Sequence, residues 1–260
     1  MLPVLRAIQT SMPQGMLNVI FSKNQLYALT ANTLVKASSF REIKEQSPKE
    51  IASLFLNASH FFSFQNGIAY NDDDFIKITK AFNRHAIEKS CIAYFYHPSD
   101  GAFLDLKRVA SQKLNVATER TDTFKKVFPK FLKLIAFSHK DPQIIHFAHS
   151  EAGLIFANSH PVFDDEILDL TKRHLEVITL GSAKPVSPKN LKKCINIYSN
   201  QDYLTLPAIY LYQTEEKAIK IVPSISDRDE KHLYFIDHAA LGKTYFEIIK
   251  KKLEDPDCNF

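Results

Sequence analysis

The stretch QIIHFAHSEAGLIFAN, residues 143–158, decides how this chain is read. Its first half, Gln143 to Ala148, is a short apolar run of the kind that forms a strand buried on both faces. From Glu151 to about Asn158 it reads as a helix. Ser150 stands at the junction. A serine there has two readings: a helix N-cap, or a nucleophile held up on a sharp strand-to-helix turn. The second reading needs small residues two positions before and after the serine, and Ala148 and Ala152 meet it.

The same alternation continues outward from this junction. His60 to Gln65 (HFFSFQ), Ser90 to Tyr96 (SCIAYFY), Leu175 to Leu180 (LEVITL) and Lys193 to Tyr198 (KCINIY) read as strands. Two more are expected near Ala218 to Val222 and His232 to Ile236. Between them lie helical patterns: one opened by Asp72, Asp73 and Asp74, one near Asp164 to Lys172, and one over about Leu241 to Leu253. The longest, about Asp122 to Phe137, sets Phe124, Val127, Phe128, Phe131, Leu132 and Ile135 on one stripe, with a kink expected at Pro129. Strands alternating with helices predict an α/β fold, a mostly parallel sheet covered by helices on both faces. Residues 1–57 are less regular. They hold a strand-like run at Leu17 to Ser22, a helix or strand over Gln25 to Ala37, and a helix start at Ser47-Pro48-Lys49-Glu50. We expect an irregular N-terminal extension, packed on or capping a core domain of residues 58–260. Segments 1–57 and 97–121 carry no signature of a substrate.

Composition narrows the function classes. A chain of 260 residues, 45% hydrophobic, can bury one large core. The net charge is only +4 and the lysines are dispersed, so a nucleic-acid partner is not expected. Cys91, Cys194 and Cys258 are odd in number and lack metal-ligand spacing, and neither HExxH nor paired Cys/His motifs occur. No metal site is expected, and the three aspartates at 72–74 are read as complementing a helix start. No run approaches the ~18 apolar residues of a membrane span, and the N-terminus lacks a secretory signal pattern. Cytoplasmic residence is the expectation, with export lacking a cleavable signal left open.

Two residues complete a candidate triad with Ser150. Asp202 follows the KCINIYS strand, and His238 follows HLYFID just before the last helix. Both sit at predicted strand ends, where open α/β sheets place their chemistry. His238 would take the serine proton, and Asp202 would orient the imidazole and stabilise imidazolium. Asp237 is the rival acid, but a neighbour in sequence points its side chain elsewhere. His146 and His149 are read as packing or loop residues. The oxyanion hole would use the backbone N–H of Glu151 and a second donor from the turn after HFFSFQ, at Gly67 or Ile68.

AHSEAG after a strand, SNQD after a later strand and DHA before the last helix together resemble the α/β-hydrolase superfamily. FQNGI, IYSNQD and YFIDHAALGKTYFEII are also similar to a group of hydrolase-like proteins from chlamydia-type bacteria. The resemblance covers about His60 to Leu253. It implies an ester, thioester or amide hydrolase with no metal or organic cofactor, acting on a small-molecule or acyl substrate. Alanines replace the usual elbow glycines, and Asn66-Gly67 stands where His-Gly is common. The chain is therefore read first as a serine esterase or thioesterase. The alternative is a catalytically inactive hydrolase-like fold acting as a binding or effector module for a protein partner.

Overall fold

In the computed structural model the described residues are 17–22, 25–29, 34–37, 58–68, 72–97, 99–202, 205, 219–224 and 243–260. They form an α/β fold around one nine-stranded sheet. The strands are β1 (Leu17–Ser22), β2 (Gln25–Leu29), β3 (Leu34–Ala37), β4 (His60–Gln65), β5 (Ser90–Phe95), β6 (Ile144–His149), β7 (Leu175–Leu180), β8 (Lys193–Ser199) and β9 (Ile219–Val222). The helices are α1 (Asp72–His85), α2 (Ala102–Lys113), α3 (Glu119–Ser138), α4 (Glu151–Ser159), α5 (Asp165–His174) and α6 (Lys243–Glu254).

The strand order is β3-β2-β1-β5-β4-β6-β7-β8-β9. From β1 to β9 every pairing is parallel, and only the β1–β2 and β2–β3 pairings are antiparallel. Of the extension expected over residues 1–57, the described parts are thus strands of this same sheet. The helix start at Ser47 to Glu50 and the strand at His232 to Ile236 lie outside the described residues.

Buried parallel strands need apolar residues on both faces, and these strands supply them. Alternate residues fall into two separate apolar clusters. One joins Phe61, Cys91, Ala93, Ile144 and Val177 to Phe128 and Phe131 of α3 and Ile155 of α4. The other joins Phe62, Phe64, Ile92, Tyr94 and Ile145 to Phe75 and Phe82 of α1 and Tyr245 and Ile249 of α6. The α3 stripe is core: all six residues that define it are buried. The helix starts earlier than Asp122 because Thr118 caps it, accepting from the Thr121 N–H at 3.3 Å. It runs unbroken through Pro129.

A second difference lies between β5 and β6. The segment 97–121, for which the sequence predicts no helix, contains α2, which Gly101 opens with φ 101° and no side-chain cap.

The aromatic core also holds histidines. His146 is fully buried among Phe95, Phe124, Phe128 and Phe156, bonded through Nδ1 to the Ser63 hydroxyl at 2.9 Å. Burial pushes its imidazole down to about 3, and burial likewise pushes His160 down to about 4. Unfolded, both return to about 6.5, so below that pH the unfolded chain binds more protons than the folded one. Stability is therefore fully present above pH 6.5 and is lost as pH falls toward the folded values. In urea titrations, unfolding free energy should drop between pH 7 and 5, by up to about 1.4 kcal/mol per pH unit per histidine. His146→Leu should flatten that slope, and an unchanged slope would contradict this account.

Candidate active site

In the sheet order β4 lies between β5 and β6, its successor in the chain on one side and the strand after that on the other. That is a topological switch point, the place at the carboxyl ends of the strands where open α/β sheets ordinarily bind their ligands. Gln65 ends β4 and His149 ends β6, so the turn at Asn66-Gly67 and the junction at Ser150 meet there.

Ser150 has φ 56° and ψ −117° and makes no side-chain capping bond to α4. A capping serine has β-region angles and accepts from the helix's first turn. Ser150 does neither. The left-handed φ is costly for a residue with a Cβ, about 1–3 kcal/mol, and is held here by what surrounds it. Its own N–H donates to the Leu180 carbonyl of β7 at 2.9 Å, and its carbonyl accepts from the Gly153 N–H at 3.1 Å. Ala148 and Ala152 are fully buried, as the tight turn requires. The closest approach comes one residue later: a Cβ on Gly153 would collide with Ser182 Oγ, on the loop after β7.

Gly67 stands directly beside the serine. A Cβ there would lie 2.6 Å from Ser150 Cβ and 3.1 Å from Ser150 Oγ. The glycine is needed for that approach. Its turn is fixed by Asn66, a buried residue whose role was not evident in the sequence. Asn66 Oδ1 accepts from the His97 N–H at 2.7 Å, while Nδ2 donates to the His97 carbonyl at 2.7 Å and the Gly67 carbonyl at 3.0 Å. Ile68 follows, half-buried. Gly67→Ala should displace the serine and lower any Ser150-dependent turnover by about 10–100-fold while the circular dichroism spectrum holds. Wild-type kcat/KM in that variant would show that the approach has no consequence.

Asp202 lies past the end of β8, 1% exposed. Its Oδ2 accepts from the Tyr245 hydroxyl at 2.7 Å, and that hydroxyl in turn accepts from the Ser199 N–H at 3.1 Å. The carboxylate is pressed against β7's end, since a Cβ on Gly181 would meet Asp202 Oδ2 at 2.6 Å. Gly181 also has φ 56° and follows the Leu180 carbonyl that Ser150 bonds. Asp202 and Ser150 thus flank one peptide group of β7. Tyr245 belongs to α6, whose sequence alone gives no sign of this bond. His238 and its rival Asp237 lie outside the described residues.

Glu151 opens α4, and the first N–H groups of a helix lack intrahelical acceptors. Its side chain is the hub of a buried ion cluster. Oε1 accepts from Arg108 Nε and Gln112 Nε2, each at 3.0 Å, and Oε2 accepts from Arg120 at 2.6 Å. Asp105 accepts from both arginines and, at 2.6 Å, from the Ser99 hydroxyl. Burial works against the Arg108 charge, but Glu151 and Asp105 outweigh it and raise its pKa. Two carboxylates and two guanidinium groups therefore fasten α2 and the start of α3 to the first residue of α4.

His149 is buried at the end of β6, its ring 6.1 Å from that of Tyr245. Among the described residues no group of three or more His, Cys, Asp or Glu side chains could hold a metal ion. No protein-family model matches the chain, and no curated protein matches it in sequence.

Proposed function

We propose that the chain is a serine hydrolase of α/β-hydrolase type, cleaving a carboxylic ester or thioester through an acyl-enzyme on Ser150. The observation that carries this reading is the Ser150 backbone, at φ 56° and ψ −117° and with no capping bond. Strain of this kind persists where the surrounding structure holds a side chain up for use. The two apolar clusters, each joining strands to different helices, support a sheet covered on both faces.

In this mechanism His238 removes the Ser150 proton as Oγ attacks the acyl carbon. The tetrahedral oxyanion is held by the Glu151 N–H and a donor at Gly67 or Ile68. Collapse expels the alcohol or thiol, protonated by His238, and leaves the acyl group on Oγ. Water, deprotonated by His238, then attacks the acyl carbon, and collapse releases the carboxylic acid as His238 returns the proton to Ser150 Oγ. Asp202 stabilises the imidazolium, and the Tyr245 hydroxyl bond fixes its carboxylate.

The second reading is an inactive hydrolase-like binding module, favoured by the 7% exposure of Ser150. Nitrophenyl esters and acyl thioesters offered to the purified chain separate the two. The hydrolase reading expects turnover that disappears in Ser150→Ala and falls by about 10⁴-fold in Asp202→Asn. Turnover indifferent to the serine would rule out the Ser150 mechanism, and none in a folded wild type would favour the binding module.

A further inference from the structure

Helix α2 is amphipathic the wrong way round. A surface helix ordinarily turns its apolar stripe to the core and its charges to water. Here Asp105 and Gln112 are fully buried, and Arg108 joins them on the inner side through Glu151. On the outer side Phe103 is 80% exposed, Leu106 59% and Leu104 50%. The apolar surface continues past the helix end with Leu114 at 78% and Val116 at 53%. Of the eight exposed large hydrophobic residues among those described, five fall within residues 103–116, which makes a patch rather than a scatter.

The orientation is fixed. Rolling α2 over would strip Glu151 of Arg108 and Gln112, part Asp105 from Arg120, and break the bond from Asn158 Nδ2 to the Gln112 carbonyl at 2.8 Å. The outer face is therefore committed to whatever it meets.

Its charge says what that is. Lys107, four residues after Phe103, and Lys113, seven after Leu106, are exposed on the same side of the helix. The carboxylate of α2, Asp105, is turned inward, and Asp100, just before the helix, is engaged by Arg108 at 2.9 Å. The outward face thus carries phenylalanine, leucine and lysine, the combination that lies in the plane of an anionic lipid surface. A twelve-residue helix is only about 18 Å long, a narrow base for a stable protein dimer. Two copies pairing there would also bring like charges together.

We propose that the outer face of α2 is a docking surface for an anionic lipid membrane. Apolar side chains enter the headgroup boundary and the lysines meet lipid phosphates and carboxylates. Docking there needs no chemistry at Ser150 and stands apart from the hydrolase reading.

The test is sedimentation of the full chain with phosphatidylcholine vesicles, with and without phosphatidylserine, alongside light scattering of the free protein. Wild type should partition onto the phosphatidylserine vesicles and less onto the neutral ones. Phe103→Asp with Leu106→Asp should weaken that partition by at least about tenfold. Lys107→Glu with Lys113→Glu should erase the preference for anionic vesicles, with circular dichroism unchanged in both variants. Absence of wild-type binding, or undiminished binding by the Phe103/Leu106 variant, would overturn the proposal. So would a wild-type dimer that Phe103→Asp dissociates, because the face would then belong to a second copy.

Discussion

Ser150→Ala is expected to lower ester turnover by on the order of 10⁶-fold and leave the protein folded, while Ser150→Gly should be equally inactive but more stable. The two outcomes separate what the hydroxyl does from what the backbone bears. At φ 56° and ψ −117° the Ser150 Cβ sits in a conformation that L residues avoid. Alanine retains the Cβ and hence the strain. Glycine has none and adopts such angles freely, so the folded state should gain about 1 kcal/mol over the alanine variant, within the range stored at such sites. The Gly67 contact adds to the difference, because a Cβ at either residue crowds the other. Urea unfolding followed by far-UV circular dichroism reads the stability, and hydrolysis of an activated ester reads the function. A glycine variant less stable than the alanine one would mean that Ser150 is not strained.

Glu151→Ala should cost about 3–5 kcal/mol of stability, an unusually large loss for an acidic residue at a helix start. A carboxylate in that position commonly contributes through the macrodipole alone, about 0.3–1 kcal/mol. This one is fully buried and accepts from Arg108, Gln112 and Arg120. Its removal leaves two guanidinium groups, whose side chains are 14% and 8% exposed, sharing the remaining carboxylates. A double-mutant cycle with Arg120→Ala should show a coupling of at least about 1 kcal/mol, little affected by added salt. A loss below about 1 kcal/mol in the single variant would reduce the cluster to a surface arrangement. Turnover should fall further than stability explains, because loss of the cluster frees the start of α4 and shifts the backbone N–H of residue 151 proposed to face the oxyanion.

The strands from β4 to β8 were legible because strands buried on both faces must be apolar at nearly every position. HFFSFQ, LEVITL and their relatives admit few other readings. The α3 stripe was legible for a similar reason, since one helical face meets a single apolar cluster. Helix α2 was not legible. Its apolar residues point outward and its polar ones inward, so periodicity, which assumes the opposite, carried no signal there.

At the candidate site the sequence pointed to Ser150, Asp202 and Gly67, each at a strand end. It could not distinguish an N-cap from a strained turn, because the difference lies in the φ of one residue. Asn66, Tyr245 and the arginines were missed because their partners are remote in the chain: Asn66 bonds residue 97, Tyr245 bonds Asp202, and Arg108 and Arg120 bond Glu151. No local pattern encodes such pairings. The third member of the proposed triad, His238, falls outside the described residues.

The central claim is that Ser150 is a nucleophile, and covalent labelling tests it most directly. Purified wild-type protein would be treated with an alkyl fluorophosphonate, digested, and the modified peptide located by mass spectrometry. The account predicts one adduct, on the peptide containing Ser150, formed slowly or not at all in a His238→Ala variant. A folded wild-type protein that takes up no label, or takes it up on another residue, would contradict it.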